Sequence, residues 1–328
     1  IPTIASLRQC FPPKGVWSRL RQLWRVWGVT STLRDDGIEL FHGLSNELPL
    51  NIHRARGVKS VVTIHDLIFL HCPEYYHWID RKIYDLKFRL ACKHADRVIA
   101  VSEYTKREIM RYYGTAEEKI DVVYQSCDPA FSAPIAQEKL EEVRNRYSLP
   151  QRFVLYVGSI EERKNLMLVA IAIKKGEKGE DFKVVAVGKQ TKSADYIVAY
   201  LEKNGIRDRF LFFHNVPFAD LPSFYRLADA FVYPSRIEGF GIPMLEAISS
   251  GLPAIGCTGS CLEEAGGPHC IYVDPDDAQA MSAALCRVVS DKELRETMIR
   301  EGYKYARNFT DEVLAGKVHE TYSSILQA

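Results

Sequence analysis

From residue 58 to the C-terminus, short apolar, β-branched runs alternate with helical patterns, and few folds accommodate that rhythm. "VKSVVTI" (58–64), "RVIAV" (97–101) and "KIDVVY" (119–124) read as strands. Between them lie "DRKIYDLKFRLACKHA" (80–95), apolar at three-to-four spacing, and "EYTKREIMRYYG", with Ser102 as a natural N-cap and Gly114 as its stop. Residues 128–150 carry Pro129, Pro134, Pro150 and one charged helical stretch; they interrupt the rhythm and read as an interdomain connection. Alternation restarts with "FVLYVG" (153–158), "FKVVAVG" (182–188), "RFLFF" (209–213), "AFVYP" (230–234) and "PAIGC" (253–257). Buried apolar strands joined through helices make parallel sheets. The fold class is therefore α/β: two Rossmann-like domains with parallel sheets facing across a cleft. Their bounds are expected at residues 1–130 and 151–310, with a linker at 131–150 and a C-terminal helix at 311–328 that can cross back to the first domain.

Composition narrows the function. Hydrophobic residues make up 47% of the 328 and charged residues 26%, as in soluble globular chains. A net charge of +1 and the lack of a long basic tract argue against general nucleic-acid binding. No apolar run approaches the roughly 20 residues that span a bilayer. The eight cysteines form no C-x-x-C pair and read as free thiols of a reducing cytoplasm. Residue 1 is not Met and no signal peptide opens the chain, so an N-terminal portion is expected to be missing. Arg8, Lys14, Arg19, Arg21, Arg25 and Arg34 interleave with Trp17, Trp24 and Trp27. That mixture suits an anionic membrane interface and equally a helix with a core-facing aromatic stripe.

Ligands of open α/β sheets bind outside the carboxyl ends of the strands. That rule selects His65-Asp66, Gly158 to Lys164, Gly188, His214 to Phe218 and Pro234 to Glu246. In "PSRIEGFGIPMLEA" (234–247), Gly239 and Gly241 permit positive φ or close approach, and Pro243 suits a first helical turn. The turn offers N–H groups and a helix N-terminus to an anion, for which a diphosphate fits best. Glu238 and Glu246 would repel phosphates, so hydroxyls of a sugar and a ribose suit them. The plainer reading, a solvated Glu238 and a Glu246 that merely favours the helix start, stays open. In "YVGSIEERKNL" (156–166), Arg163 and Lys164 could neutralise a departing diphosphate, although Arg-Lys at a helix start is commonly just surface. His65 ends the strand of "TIHDL" and could be structural or catalytic.

Other signatures fail. "GFGIPM" has Met244 where a dinucleotide fingerprint needs its third glycine. "DPDD" (274–277) reads as a turn rather than a metal site. No Walker loop or H-E-x-x-H occurs, and His65 and His71 have no evident third ligand.

From about residue 38 onward the chain resembles the retaining GT-B glycosyltransferases of family 4. "FADLPSFYRLADAFVYPSRIEGFGIPMLEAISSGLPAIGC" resembles the family's donor-binding block, with Glu238 and Glu246 as its Glu-x7-Glu. "YVGSIEERKNL" and "HADRVIAVSEYTKREIMRYYG" resemble further segments, and "HGLSNELP" (42–49) with "TIHDL" resembles a bacterial mannosyltransferase-like subgroup. The resemblance implies a nucleotide-diphosphate sugar, GDP-mannose favoured over a UDP-sugar, held mainly by the second domain without a metal or other cofactor. It implies that Glu246 binds ribose hydroxyls and that Glu238 and His65 contact the donor sugar. Gly158, Arg163, Lys164 and the turn Gly239, Phe240, Gly241, Ile242 and Pro243 would serve the phosphates. His214 and Val216 would meet the base through backbone atoms. The acceptor implied is a glycan or lipid-linked glycan of surface polysaccharide, in the cytoplasm or peripherally at the inner membrane face.

Two departures stand out. Ser159 occupies the place where many members carry Arg, and nothing before "IPTIASLRQC" matches the family's opening β-strand and glycine-rich loop. A chain without that unit could be a non-catalytic nucleotide- or glycan-binding partner of an active transferase. A sugar-nucleotide epimerase is the other alternative.

Overall fold

A computed structural model describes residues 10–12, 20–176 and 182–327. Arg8, Lys14, Trp17 and Arg19 of the basic, tryptophan-rich stretch lie outside them. The chain divides into two compact units. Unit 1 takes in the chain through Val101, then Thr105–Val123 and the residues from Lys317; unit 2 takes in Ser102–Tyr104 and Tyr124–Gly316.

Unit 1 is built on four parallel strands in the order β1 (Leu40–Gly43), β2 (Lys59–Ile64), β3 (Arg97–Ala100), β4 (Ile120–Val122). Val61, Val62 and Ile64 on β2, and Val98 and Ala100 on β3, are fully buried, which is why these segments read as continuous apolar runs. β1 was absent from the strands expected from the sequence. It has only four residues, the first three half-buried, so its apolar signal is short. α1 (Val29–Asp35) contributes Val29 and Leu33 to the core, and α2 (Trp78–His94) contributes Phe88, Ala91 and Cys92. α3 (Glu103–Tyr113) ends where Gly114 turns left-handed at φ 62° and its N–H closes on the Met110 carbonyl. Val61, Ile99 and Val123 pack with Val318, Tyr322 and Ile325.

Unit 2 holds six parallel strands: β5 (Phe153–Val157), β6 (Lys183–Val187), β7 (Phe210–Phe213), β8 (Ala230–Tyr233), β9 (Ala254–Cys257) and β10 (Ile271–Val273). Their spatial order is β10-β9-β8-β5-β6-β7, so the chain reverses direction across the sheet between β5 and β8. The helices are α4 (Gln137–Arg146), α5 (Leu166–Lys175), α6 (Lys192–Lys203), α7 (Leu221–Leu227), α8 (Ile242–Ser249), α9 (Ala278–Ser290) and α10 (Lys292–Ala306). α11 (Asp311–Leu326) begins in unit 2 and passes into unit 1 at Lys317.

α4 lies within the proline-marked stretch 128–150. Its Lys139 and Arg146, with Tyr147, converge on buried Asp220 at 3.0, 2.6 and 2.9 Å. The "DPDD" aspartates shape a turn: the Asp274 carboxylate accepts from the Asp276 N–H, and Asp277 caps α9 by accepting from Gln279 and Ala280. All eight cysteines are free thiols.

Candidate functional site

The reversal between β5 and β8 places two loops side by side at the strand ends. The loop after β5 runs through a 3₁₀ turn, Glu162–Lys164, into α5. It needs Asn165 at φ 57°, a left-handed conformation that asparagine tolerates, and the Asn165 amide holds the Pro275 carbonyl at 2.9 Å. The loop after β8 runs from Pro234 to Gly241 into α8. Arg236 N–H donates to the Arg163 carbonyl (3.0 Å), and the Arg163 guanidinium donates to the Ile237 carbonyl (2.6 Å), so the loops are stitched together.

At the seam lies Glu238, buried, with four donors on one carboxylate oxygen. Lys164 Nζ approaches Oε1 at 2.5 Å, Ser235 Oγ at 2.6 Å, Tyr233 OH at 3.0 Å and Arg163 Nη1 at 3.1 Å. Burial alone would raise the Glu238 pKa; the charges of Lys164 and Arg163 outweigh it and hold the carboxyl below the usual range. Burial wins for Lys164, whose pKa is lowered despite Glu238. For Arg163, burial is outweighed by Glu238 and the guanidinium is held above its ordinary value. The sequence reading of Glu238 as a solvated loop residue is thereby excluded. The carboxylate is an internal counter-ion, and Arg163 and Lys164 are part-buried rather than surface cations.

α8 starts at Gly241, whose φ of 99° and neighbour Leu262, 2.6 Å from where a Cβ would sit, both demand glycine. Pro243 removes one of the first N–H groups and Met244 closes on the Gly241 carbonyl, which leaves those of Gly241 and Ile242 for an acceptor ahead of the helix. Gly239 is tied by its carbonyl to Ser102 Oγ at 2.6 Å. The Phe240 ring is buried, stacked on Tyr124 at 5.5 Å and tilted against Phe309, so only its backbone remains for a ligand. Glu246 is half-buried on α8, and Tyr225 OH on α7 donates to its Oε2 at 2.7 Å. Burial, only partly offset by that bond, raises its pKa.

The ends of β6 and β7 complete the rim. Gly188 lies so close to Gly158 that a Cβ would overlap the Gly158 carbonyl. His214 Nδ1 bonds the Gly188 carbonyl at 2.6 Å, Asn215 follows at φ 61°, and Val216 is half-buried. One sheet edge of unit 2 thus brings together Gly158, Arg163, Lys164, His214, Val216 and the run from Glu238 to Glu246.

His65 belongs to unit 1. Its N–H donates to Asn46 Oδ1 at 2.7 Å, and its Nε2 meets the Leu44 carbonyl at 2.9 Å, which requires the proton on Nε2. Sequence reasoning selected Asp66 beside it and the stretch 42–49 as a resemblance, but gave no role to the individual residues around it. His42, at the end of β1, bonds Tyr322 OH (2.6 Å) and Thr63 Oγ1 (2.8 Å), and burial lowers its pKa to about 4. A cavity of about 660 Å³ opens beside it, lined by Asn46, Glu47, Asp66, Tyr76, Tyr84 and Lys87 among others. Glu47 accepts from Lys87 at 2.8 Å and pairs with Arg25. The signal was "HGLSNELP", whose polar residues sit at a strand end, but β1 itself went unread.

Among the described residues no three His, Cys, Asp or Glu side chains gather as a metal site. Comparison with known proteins places the chain. Residues 139–305 match the model for glycosyl transferases group 1, and residues 5–131 match glycosyltransferase family 4. The chain is a family 4, group 1 glycosyltransferase. O-antigen chain mannosyltransferase B of Escherichia coli is 31% identical over 297 residues, 89% of this chain and 74% of that protein. O-antigen chain mannosyltransferase RfbU of Salmonella typhimurium is 27% identical, covering 82% and 71%. The serotype-specific mannosyltransferase WbdA of Escherichia coli is 25% identical, but this chain spans only 37% of it. A glycosyltransferase from Rickettsia africae superposes with TM-score 0.78 at 19% identity, over 98% of this chain and 84% of that one, which shows the shared GT-B fold. As a member of this family the protein is a hexosyltransferase enzyme, and the stitched loops of unit 2 lie inside the segment that matches group 1.

Proposed function

We propose that this glycosyltransferase moves a hexose, mannose in the favoured case, from a nucleotide-diphosphate sugar to a glycan or lipid-linked acceptor in surface polysaccharide synthesis, with retention and without a metal. The observation that carries the proposal is the Arg163–Lys164–Glu238 cluster beside the N-terminus of α8. Two part-buried cations and the Gly241 and Ile242 N–H groups supply four positive poles for a diphosphate. Glu246 suits a hydroxyl pair on ribose, and the backbone near His214 and Val216 suits a base.

Retention agrees with Glu238 being engaged by four donors, which makes it a poor nucleophile. In the proposed step the C1–O bond to the β-phosphate breaks while the acceptor oxygen bonds C1 from the same face. The acceptor proton passes to the departing phosphate oxygen, whose negative charge Arg163 and Lys164 stabilise. Those cations supply the charge compensation that a metal would otherwise give. Mannose and O-antigen-type polysaccharide are favoured because the named relatives are O-antigen chain mannosyltransferases. A UDP-sugar is the second reading, since the Anabaena HepE structure, of like fold at 18% identity, holds UDP and glucose. The cavity beside His42, with Glu47 and Asp66 for hydroxyls and Tyr76 and Tyr84 for a ring face, is suited to the acceptor glycan.

Thermal unfolding with GDP and with UDP is the test. Nucleotide at about 100 times its Kd adds about 2.7 kcal/mol of stability. The expected result is a shift with GDP that is lost in Glu246→Gln, followed by transfer from GDP-mannose that persists in EDTA and yields the retained anomer by NMR. A shift with UDP alone would move the donor to a UDP-sugar. A shift without any transfer would leave a nucleotide-binding partner of another transferase, and no shift with either nucleotide would overturn the assignment.

A further inference from the structure

β8 ends in a tyrosine where an apolar side chain would serve the packing equally well. All four of its residues are buried, and Tyr233 is 1% exposed, its ring stacked on Phe231 at 6.0 Å and tilted against Tyr156 of β5 at 6.4 Å. A phenol at that depth needs a partner for its hydroxyl. Tyr233 OH has two: it accepts from Lys164 Nζ at 2.5 Å and donates to Glu238 Oε1 at 3.0 Å. An ammonium only donates and a carboxylate only accepts, so the direction of both bonds is fixed.

Those bonds decide where Lys164 points. Of its three N–H groups one goes to Glu238 at 2.5 Å and one to Tyr233, whose ring centre also lies 5.0 Å from Nζ. The third has no protein partner among the described residues. An ammonium held at one point swings on its four-carbon stem; held at two, its last N–H keeps a single direction. Other charged and titratable groups face this pair. They are Glu161 and Arg163 on the same loop, Tyr156 on β5, and Cys261 beyond β9, whose Sγ donates to the Glu238 carbonyl at 3.1 Å. Burial most of all, and then Arg163, work against the charge on Lys164, so the lysine depends on its bonded partners to keep its proton.

We propose that Tyr233 is a positioning residue of the transfer reaction: its hydroxyl, together with Glu238, aims the Lys164 ammonium at the departing phosphate. The proposal rests on the donor site proposed above, in which Lys164 stabilises that phosphate. Buried as it is, Tyr233 touches no substrate and acts through the lysine.

Tyr233→Phe keeps the ring and removes the oxygen. With one acceptor gone from its charged form, Lys164 should lose its proton more readily. NMR of protein carrying lysine labelled with 13C at Cε reads this directly, the Lys164 signal being the one absent in Lys164→Arg. That signal should titrate at lower pH in Tyr233→Phe than in wild type. In transfer assays kcat should fall about tenfold with the donor KM nearly unchanged, and the alkaline limb of the kcat profile should move down in pH with the lysine. Ser235→Ala is the control: Ser235 donates to Glu238 at 2.6 Å and makes no bond to Lys164, so its loss should leave the lysine titration in place. The same Lys164 titration in Tyr233→Phe and wild type would overturn the proposal. So would full turnover by Tyr233→Phe with loss confined to Tyr233→Leu, which would make the residue packing alone. The titration needs neither nucleotide nor transfer. A wild type that moves no sugar would therefore sink the proposed reaction, and Tyr233's part in it, while the titration still decides whether the hydroxyl holds Lys164.

Discussion

Glu238 is where the chemistry of single residues matters most. Because its folded carboxyl binds a proton less tightly than the unfolded one, ionisation of Glu238 stabilises the fold fully above about pH 4.5, and the gain is lost as pH falls below that value. Urea denaturation from pH 7 to pH 3 should therefore show wild type losing stability more steeply than Glu238→Gln. The same substitution leaves Arg163 and Lys164 without their shared carboxylate. Free nucleoside diphosphate should then bind several-fold more tightly and inhibit more strongly while turnover drops, as product-inhibition kinetics would reveal. Looser binding of the diphosphate in that variant would mean that Glu238 orders the cations rather than competing with phosphate for them. His65→Ala is expected to act differently. It should lower transfer with little change in the nucleotide-induced thermal shift, because His65 lies outside the unit in which the diphosphate site is proposed.

At the scale of elements, the junction of β8 and α8 is the sensitive one. Gly241→Ala would put a side chain on a left-handed backbone and against Leu262, so a loss of about 1–3 kcal/mol is expected, together with weakened nucleotide binding. Denaturant midpoints and thermal shifts measure the two effects separately. A variant as stable as wild type would mean that the loop can re-form with the helix start elsewhere. Strands were legible where the run was continuously apolar, not where it was long: β3, β8 and β9 have four residues each and were read. β5 and β6, five residues each with apolar interiors, announced themselves, whereas β1, four residues with a histidine and a glycine, did not. Positive φ at Gly241 was legible because glycine and proline mark it. The packing of the Phe240 ring on Tyr124 and Phe309, by contrast, left no mark in the sequence.

Across the whole molecule, alternation predicted two α/β units, and strand-end positions pointed to two loops that meet in unit 2. What the sequence withheld was pairing over distance. Lys164 and Glu238 stand 74 positions apart and meet only because β8 lies next to β5 in the sheet. Arg25 and Lys87 meet at Glu47 for a similar reason. Periodicity reports which face of an element is buried, not which element covers it.

The short piece Ser102–Tyr104 has its own consequence. It packs with unit 2, where Ser102 holds the Gly239 carbonyl and Glu264 accepts from the N–H groups of Glu103 and Tyr104 at 2.6 and 2.8 Å. Anyone building chimaeras of such transferases would cut near residue 124 and carry over everything downstream. That cut separates the turn ahead of α8 from its own peg. A hybrid whose upstream donor lacks a hydroxyl at position 102 would lose that hydrogen bond, at about 0.5–1.5 kcal/mol, in the very loop that the exchange was meant to transplant intact.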